Sequence, residues 1–285
     1  MNYRHIYHAG NFADCLKHII LSRILQYLQK KDKPFFVLDT HAGIGSYDLT
    51  SEEARKTGEW QDGIARLLGK DAHPVPDLIK EIISPYADVI KSLNPEGEYF
   101  FYPGSPKLVQ MMTREQDRAF FMEKHQEDFK TLAKSLRGDH RMHVRQDDGW
   151  LALKATLPPK ERRGLVLIDP PFEEPDEYRR MIEAFLAGYK RWSTGTYCLW
   201  YPIKARRDVD VAAQMLADAG IENCLRVELV IQKLDTAKRL NGTGLFIINP
   251  PFTLHADLKL LLPFLAKTLG QTAQRSTLEW ICEPK

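Results

Sequence analysis

Short runs of apolar residues are the clearest pattern along this chain. In six of them nearly every position is apolar, which is typical of strands covered on both faces of a sheet. These runs cover residues 34–39, 119–123, 164–169, 196–202, 225–232 and 244–249. A weaker run lies at 142–147. The pattern therefore predicts seven strands.

Helical spacing of apolar residues recurs between these strands. Intervals of three and four separate the apolar residues of 11–30, which predicts a long N-terminal helix. Similar patterns cover 54–68, 76–91, 128–137, 176–192, 209–219 and 256–269. Ser105 followed by Pro106 indicates another helix, with Ser105 as its N-cap. This alternation of strand and helix predicts a parallel, doubly wound α/β sheet.

Two stretches depart from the alternation. The last two strands are joined by 233–243, which has no room for a crossover helix, so we predict that they pair antiparallel. Residues 49–103 contain helical patterns and prolines but no convincing strand. We interpret 49–103 as a helical insertion into one α/β domain, whose other parts are 1–48 and 104–285.

Composition excludes several classes of protein. Of the 285 residues 44% are hydrophobic and 27% are charged, which excludes a disordered chain, a coiled coil and a collagen-like fibre. No apolar run reaches the length of a membrane-spanning helix, and the N-terminus lacks a signal-peptide pattern. The four cysteines form no CxxC pair, so we expect free thiols and a cytoplasmic location.

Charge is distributed unevenly around a net value of +2. Residues 1–34 carry six basic and two acidic side chains, whereas 50–100 carry ten acidic and six basic ones. A basic N-terminal segment is compatible with a polyanionic partner such as nucleic acid. A chance asymmetry of the solvated surface explains the charges equally well.

An acidic residue and a glycine turn follow the first predicted strand. Asp39 ends the strand, and Gly43 and Gly45 come shortly after it. Glycines at a strand exit let the backbone approach a nucleotide closely. The spacing D-x-x-x-G-x-G differs from the dinucleotide fingerprint, which counts against a nicotinamide-dependent oxidoreductase. On its own, the turn is equally well explained as a structural feature.

Acidic residues also follow the second and third strands along the chain. Glu123 is suited to the two hydroxyls of a ribose. Asp147 or Asp148, next to Gly149, is suited to an adenine amino group. Each acid alone is more simply a helix cap or turn residue. Together with Asp39 they are expected at the edge where open α/β sheets bind ligands.

The most specific motif is Asp169-Pro170-Pro171-Phe172, at the exit of the run 164–169. Two prolines make a stiff segment whose carbonyl cannot join a helix. The Asp169 carboxylate and the Pro170 carbonyl can both accept hydrogen bonds from one exocyclic amino group. Phe172 offers a face on which a flipped base can stack. These features are suited to methylation of a planar amine.

A similar motif, Asn249-Pro250-Pro251-Phe252, occurs downstream. In a doubly wound sheet that begins at 34–39, the strand before Asp169 lies beside the first strand, at the point where the strand order reverses. Asn249 instead follows the final, antiparallel strand, whose end points away from that place. We therefore assign Asp169 to function and Asn249 to structure.

Motifs for metal binding and hydrolysis are missing from the sequence. The pairs His5/His8 and His140/His143 lack a cysteine or an acidic cluster that would complete a metal site, so no metal is expected. The sequence also contains no P-loop, no G-x-S-x-G and no H-E-x-x-H.

Longer motifs carry a family resemblance that spans nearly the whole chain. They are YRH at 3–5, HAGN at 8–11, AD at 13–14, LKH at 16–18, LDTHAG at 38–43, YPGSP at 102–106, GTY at 195–197 and LWYP at 199–202. On these motifs the chain resembles the RlmJ family, 23S ribosomal RNA adenine-N6 methyltransferases that use S-adenosylmethionine. The resemblance implies a class I methyltransferase with a Rossmann-like, seven-stranded sheet and a helical insertion that helps to define the RNA cleft.

The resemblance also implies roles for the matching positions. Cofactor binding is implied for Lys17, His18, Asp39, His41, Gly43, Ser105, Glu123, Asp148 and Gly149. Lys17 and His18 would reach the methionine moiety. Asp169 would orient the target amine and accept its proton. Pro170 and Phe172 would complete the catalytic segment, and Phe172 stands where the family often has Tyr. Tyr3 and Arg4 would contact the RNA.

We therefore predict a cytoplasmic, monomeric enzyme that methylates N6 of one adenosine in 23S rRNA, without a membrane partner. Its substrate is naked RNA or an early assembly intermediate. Methylation of DNA adenine, DNA cytosine or a protein glutamine is an alternative, because the motif at Asp169 serves those amines equally. A non-catalytic RNA-binding module is another alternative, against which the intact Asp39, Glu123 and Asp169 count.

Overall fold

The chain forms an eight-stranded mixed sheet with helices on both faces, in a computed structural model that describes residues 4–234 and 240–284. The strands, in chain order, are β1 (Phe36–Asp39), β2 (Ser46–Asp48), β3 (Phe101–Pro103), β4 (Arg118–Met122), β5 (Met142–Arg145), β6 (Gly164–Ile168), β7 (Thr196–Ile203), β8 (Cys224–Val230), β9 (Gly242–Ile248) and β10 (Arg275–Cys282). Strands β2 and β3 form a separate antiparallel pair.

The order of the strands creates a crevice in the middle of the sheet. The order is β10-β8-β9-β7-β6-β1-β4-β5. Strand β1 pairs in parallel with β4 on one side and with β6 on the other, so the direction of winding reverses at β1. Such a reversal leaves room for a ligand at the carboxyl ends of the strands. The predicted α/β class, with a doubly wound sheet, is confirmed.

The main sheet has eight strands rather than the seven predicted. All seven predicted strands are present, and β8 and β9 pair antiparallel as expected. The eighth, β10, pairs antiparallel with β8 at the edge of the sheet. No residue of β10 is fully buried. Its sequence therefore lacks the continuous apolar run that identified the other strands.

Helices cover both faces of the sheet. They are α1 (Phe12–Gln29), α2 (Glu52–Thr57), α3 (Glu59–Asp62), α4 (Ile64–Leu68), α5 (Asp77–Leu93), α6 (Ser105–Met112), α7 (Gln126–Ser135), α8 (Gly149–Thr156), α9 (Glu177–Tyr189), α10 (Arg206–Asp218) and α11 (Leu254–Leu269). Among the described helices, none combines the length and the apolar character that crossing a membrane requires.

The core consists of two apolar layers, one on each face of the sheet. Val37 of β1 packs in the layer formed with α1, α5, α6 and α11. Its neighbours Phe36 and Leu38 pack in the layer formed with α8, α9 and α10. Successive side chains of a strand point to opposite faces. A strand between two helical layers must therefore be apolar at every position, which explains the continuous runs.

Helix α1 is buried over most of its length. Asn11 caps it, because its side chain accepts hydrogen bonds from the backbone of Ala13 and Asp14. Asp14, Lys17 and His18 are buried on this helix together with its apolar residues. Charged groups are rarely buried without partners. Their burial therefore draws attention to the contacts that they make.

The connection between β1 and α6 differs in detail from the prediction. The helical pattern at 54–68 is divided into α2, α3 and α4, with breaks at Gly58 and Gly63. Residues near both ends of the connection form the strands β2 and β3, which the sequence did not indicate. Gly104 rather than Ser105 is the N-cap of α6. The division of the chain at 49 and 103 stays a prediction.

Candidate active site

A cavity of about 440 Å³ opens at the carboxyl ends of β1, β4 and β6. Most of the residues that the sequence singled out lie in its wall. They are Lys17, His18, His41, Gly43, Ser105, Glu123, Asp148, Gly149, Asp169 and Pro170. Asp39 lies directly behind Ser105 and is fully buried. The strand order thus gathers residues from six separate parts of the sequence.

A second cavity, of about 1040 Å³, adjoins the first. Lys17, Asp169 and Pro171 line both, so they lie where the two meet. Phe172 and Trp200 line the second cavity. Within residues 4–234 and 240–284, no group of three His, Cys, Asp or Glu side chains is arranged to hold a metal ion.

Glu123 connects the end of β4 to the glycine turn after β1. Its Oε2 accepts a hydrogen bond of 2.9 Å from the Gly43 N–H, and its Oε1 accepts one of 2.7 Å from the His125 N–H. Gly43 has a φ of 64°, and a Cβ there would lie 2.4 Å from the Tyr47 hydroxyl. Burial raises the pKa of Glu123, although both backbone donors oppose this shift. A carboxylate with two such bonds keeps further lone pairs for a ligand.

Asp39 is buried at the end of β1 and supports the cavity from behind. The Ser105 hydroxyl donates to Asp39 Oδ2 at 2.6 Å, and the His41 N–H donates to Oδ1 at 3.2 Å. Burial raises the pKa of the Asp39 carboxyl to about 7, and the charge of Asp169 adds to this effect against the Ser105 hydrogen bond. Ser105 therefore acts on Asp39 instead of capping α6.

We expect the stability of Asp39→Asn relative to the wild type to be greater at pH 8 than at pH 5. The folded state holds the proton of Asp39 up to a pKa of about 7, whereas the unfolded chain loses it near 3.8. Stability from this group is therefore present below pH 4 and is lost as the pH rises through 7. Because asparagine does not titrate, the free energy of unfolding of the variant relative to the wild type should grow by about 3 kcal/mol between pH 5 and pH 8. Urea unfolding at both pH values measures this, and a constant difference would contradict it.

Asp148 and Gly149 follow β5, and Gly149 packs against Thr40, the residue after β1. Asp148 caps α8 by accepting from the Trp150 N–H at 2.9 Å, and its carboxylate lies 3.1 Å from the Lys124 ammonium. Asp148 lies in the wall of the cavity, whereas Asp147 does not line it. A Cβ on Gly149 would lie 2.0 Å from the Thr40 carbonyl oxygen, so only glycine allows α8 to approach β1 this closely.

Two aromatic contacts complete this end of the cavity. The His41 ring lies 4.8 Å from the Trp150 ring in an edge-on arrangement. Arg180 lies over the Trp150 ring, with its guanidinium 5.3 Å from the ring centre. Burial lowers the pKa of His41 to about 3, so this ring is neutral at pH 7.

His18 is buried at the other end of the cavity. Its Nδ1 shares a hydrogen bond of 2.8 Å with the Tyr102 hydroxyl. Its Nε2 is buried and has no hydrogen-bond partner among the described residues. Burial lowers the pKa of His18 to about 3, so the ring is neutral at pH 7. A buried polar atom without a partner is costly, and a polar group of a bound ligand can satisfy it.

Lys17 bridges two carboxylates at the junction of the cavities. Its ammonium lies 2.6 Å from Asp169 Oδ2 and 2.9 Å from Asp14 Oδ1. Burial alone would lower the pKa of Lys17, but the charges of Asp14 and Asp169 raise it above its ordinary value, so the group stays protonated. The structure therefore pairs Lys17 with the protein's own carboxylates, where the resemblance implied a contact with the methionine moiety.

Phe172 does not present the open face that the sequence analysis expected. Only 9% of it is exposed. Its ring lies 4.6 Å from Tyr178 and 5.7 Å from Trp200, measured between ring centres. The backbone of Phe172 has a φ of 52°, which turns the chain after the two prolines. Trp200, which is only partly buried, supplies the more accessible aromatic surface in this cavity.

The downstream motif lies at the opposite edge of the sheet, as the strand order predicted. Strand β9 runs antiparallel to β7, so Asn249 follows it near the beginning of β7. Asn249 Nδ2 donates to the carbonyl oxygens of Ser193 and Gly195 at 2.7 and 2.8 Å. These bonds give Asn249 a role in holding the loop before β7.

The N-terminal segment approaches the first cavity. Arg4 is half-exposed, and its guanidinium lies 3.8 Å from Asp128, which lines that cavity. Tyr3, for which an RNA contact was expected, lies outside the described residues. His5 lines both cavities and bonds through Nε2 to Asp14 Oδ2 at 2.9 Å.

Two residues of the site were missed in the sequence. Asp14 was overlooked because an acid early in a helix is commonly a capping residue. Its signal was an acid three residues before Lys17 on a helix that is otherwise largely apolar. Trp200 was overlooked because an aromatic residue in a buried strand is normally part of the core.

Comparison with known proteins identifies the family. A family model described as "Ribosomal RNA large subunit methyltransferase D, RlmJ" matches residues 32–282. "Ribosomal RNA large subunit methyltransferase J" of Haemophilus influenzae is 44% identical over 283 residues, and the alignment covers 99% of each chain. The Escherichia coli protein of the same name is 40% identical over 282 residues, again with 99% of each chain covered.

A solved structure extends the likeness to three dimensions. The crystal structure of a protein from Legionella pneumophila superposes with a TM-score of 0.86 at 36% identity, and the match covers 95% of this chain and 98% of that one. The family match, the two full-length relatives and the arrangement of the cavity agree with the resemblance carried by the motifs. The chain belongs to the RlmJ family of ribosomal RNA large subunit methyltransferases.

Proposed function

We propose that this protein transfers the methyl group of S-adenosylmethionine to the N6 amino group of one adenosine in 23S rRNA. The observation that carries the proposal is the Asp169 carboxylate, which Lys17 holds where two cavities meet and which two prolines follow. Both full-length relatives are named as methyltransferases of large-subunit ribosomal RNA, which supports the class of substrate.

The first cavity fits the cofactor. Glu123 has lone pairs left for ribose hydroxyls, and Asp148 can accept from the adenine amino group. His18 Nε2 has no partner among the described residues and can bond the methionine moiety. S-adenosylmethionine, when bound, supplies an electrophilic methyl group on its sulfonium.

The second cavity fits the target base. The Lys17 ammonium donates to Oδ2 of Asp169, and no described residue donates to Oδ1 of Asp169. Oδ1 and the Pro170 carbonyl can therefore accept both N–H groups of N6, which directs the nitrogen lone pair toward the cofactor side. Asp169 then takes the proton that N6 loses when its bond to the methyl carbon forms and the bond from that carbon to the sulfonium sulfur breaks, with the sulfur leaving as a neutral thioether. Catalysis on this account is mainly positioning.

Tyr3 and Arg4 would contact the RNA backbone or a flanking base. The helical insertion at 49–103 would form one side of the cleft. We propose that the enzyme acts as a monomer in the cytoplasm, on naked RNA or on an early assembly intermediate.

The direct test is transfer of labelled methyl from S-adenosylmethionine to unmodified 23S rRNA. Digestion to nucleosides should place the label in N6-methyladenosine. The same assay on DNA and on glutamine-containing peptides, alone and in competition, separates the alternative amines. Label on DNA or peptide with none on RNA would overturn the substrate, and cofactor binding without label on any of them would favour a non-catalytic module.

A further inference from the structure

We infer that Asp14 is a positioning residue that holds Lys17 in place beside Asp169 and ties the N-terminal segment to the same point. The inference rests on the proposed function, because it concerns the acceptor of the target amine. The carboxylate of Asp14 is buried, and its two oxygens bind different parts of the site.

The two oxygens of Asp14 have separate partners. Oδ1 lies 2.9 Å from the Lys17 ammonium. Oδ2 accepts hydrogen bonds of 2.9 Å from the Gly10 N–H and from His5 Nε2. One carboxylate therefore joins Lys17 to the segment that carries Arg4 and, before it, Tyr3.

Lys17 in turn has few ways to move. It is 4% exposed, its ammonium also bonds Asp169 Oδ2 at 2.6 Å, and it lies 5.8 Å from the centre of the Trp200 ring. Asp169 receives no hydrogen bond from the described residues except that of Lys17. The place of the amine acceptor therefore depends on Lys17, and the place of Lys17 depends on Asp14.

The charges of the cluster support this order of dependence. Asp14 is 1% exposed, and burial alone would raise its pKa. The charges of His5 and Lys17 nevertheless hold the pKa of Asp14 well below its usual range. A second carboxylate also shares the positive charge of Lys17, which leaves Asp169 a stronger acceptor than it would be in an isolated ion pair with lysine.

An asparagine cannot replace this carboxylate. Both sides of Asp14 face obligatory donors, the Lys17 ammonium and the Gly10 N–H. The amide group of an asparagine side chain has one acceptor oxygen, and its NH₂ group would face one of these donors. Asp14→Asn therefore keeps the shape of the side chain and breaks one of its two connections.

The test measures transfer and cofactor affinity in Asp14→Asn, Lys17→Met and the double variant. We expect Asp14→Asn to lower kcat about tenfold, while the Kd for S-adenosylmethionine stays within about threefold. In the Lys17→Met background, Asp14→Asn should lower kcat by less than about twofold, because Asp14 acts through Lys17. An unchanged kcat in Asp14→Asn, or an equal loss in both backgrounds, would overturn the inference.

Asp117→Asn is the matched control. Asp117 is also buried and paired, with Arg114 at 2.9 Å, but it lies before β4 at the edge of the sheet away from the cavities. The Asp117→Asn variant should have a lower melting temperature and an unchanged kcat at temperatures where it is folded. If Asp14→Asn changed only the melting temperature in the same way, its role would be structural and the inference would fail.

A readout that does not need RNA separates this inference from the proposed function. Acetic anhydride modifies neutral amines, and mass spectrometry reports the rate at Lys17. Loss of one carboxylate partner should raise that rate at least about fivefold in Asp14→Asn and leave it unchanged in Asp117→Asn. An unchanged rate in Asp14→Asn would overturn the inference even if the enzyme proved to act on another amine.

Discussion

Asp169→Ala is expected to lower the rate of methyl transfer to 23S rRNA by about 100- to 1000-fold, the cost of losing one group aimed at the reacting atoms. The change removes the acceptor at the junction of the two cavities. Lys17 keeps Asp14 as a partner, so the pocket is not left with an unpaired buried charge. The Kd for S-adenosylmethionine should stay within about threefold. Single-turnover transfer and calorimetric binding measure the two quantities.

Asn249→Ala is the matched control for this prediction, because it changes the equivalent residue of the second Pro-Pro-Phe motif. Asn249 bonds the loop before β7 and lies at the other edge of the sheet. The variant should lose some thermal stability and keep its rate of transfer. A rate for Asp169→Ala within a few-fold of wild type, or a large loss for Asn249→Ala, would reverse the assignment of the two motifs.

Glu123→Gln is expected to weaken the binding of S-adenosylmethionine by about 30- to 150-fold, equivalent to about 2–3 kcal/mol. Both oxygens of Glu123 accept backbone hydrogen bonds, from Gly43 and from His125. The NH₂ group of glutamine must face one of these donors, so the glycine turn moves and the ribose loses its charged acceptor. Calorimetric titration with the cofactor measures the effect.

The rate at saturating cofactor provides a second check on Glu123. Glu123 does not touch the amine acceptor, so kcat should fall by less than about fivefold while KM for the cofactor rises. Glu161→Gln serves as control, because the side chain of Glu161 is buried and paired with Arg118 at 3.0 Å, away from the cavities. Equal effects of the two changes on cofactor affinity would mean that Glu123 acts only on stability.

Six of the predicted strands were recognisable because they are buried along nearly their whole length, with helices on both faces of the sheet. The seventh, β5, lies at the edge of the sheet with two of its four residues exposed, and its run was accordingly weaker. Their order along the chain also predicted that Asp39, Glu123 and Asp148 lie at one edge of the sheet. The motif order separated Asp169 from Asn249 for the same reason. These conclusions depend on the spacing of hydrophobic residues and on the order of the strands along the chain, and both can be read from the sequence.

The errors share a different cause. Strand β10 is only partly buried, and its sequence mixes polar with apolar residues, so it contains no continuous apolar run. The pair β2 and β3 forms between segments more than 50 residues apart, with only three residues in each strand. The ring of Phe172 is covered by Tyr178 and Trp200, which come from α9 and β7. Each of these features depends on contacts between distant segments.

By itself the sequence determined the α/β class, the antiparallel end of the sheet, the family and the set of acids at the strand ends. These features follow from the spacing of hydrophobic residues and from the order of motifs along the chain, both of which can be read without the fold. Only the tertiary structure decided which side chains those acids contact. Lys17 and Asp169 are 152 residues apart and meet at 2.6 Å. The packing of α1 against the sheet creates that contact, and it gives Asp14 the role that its position in the sequence did not reveal.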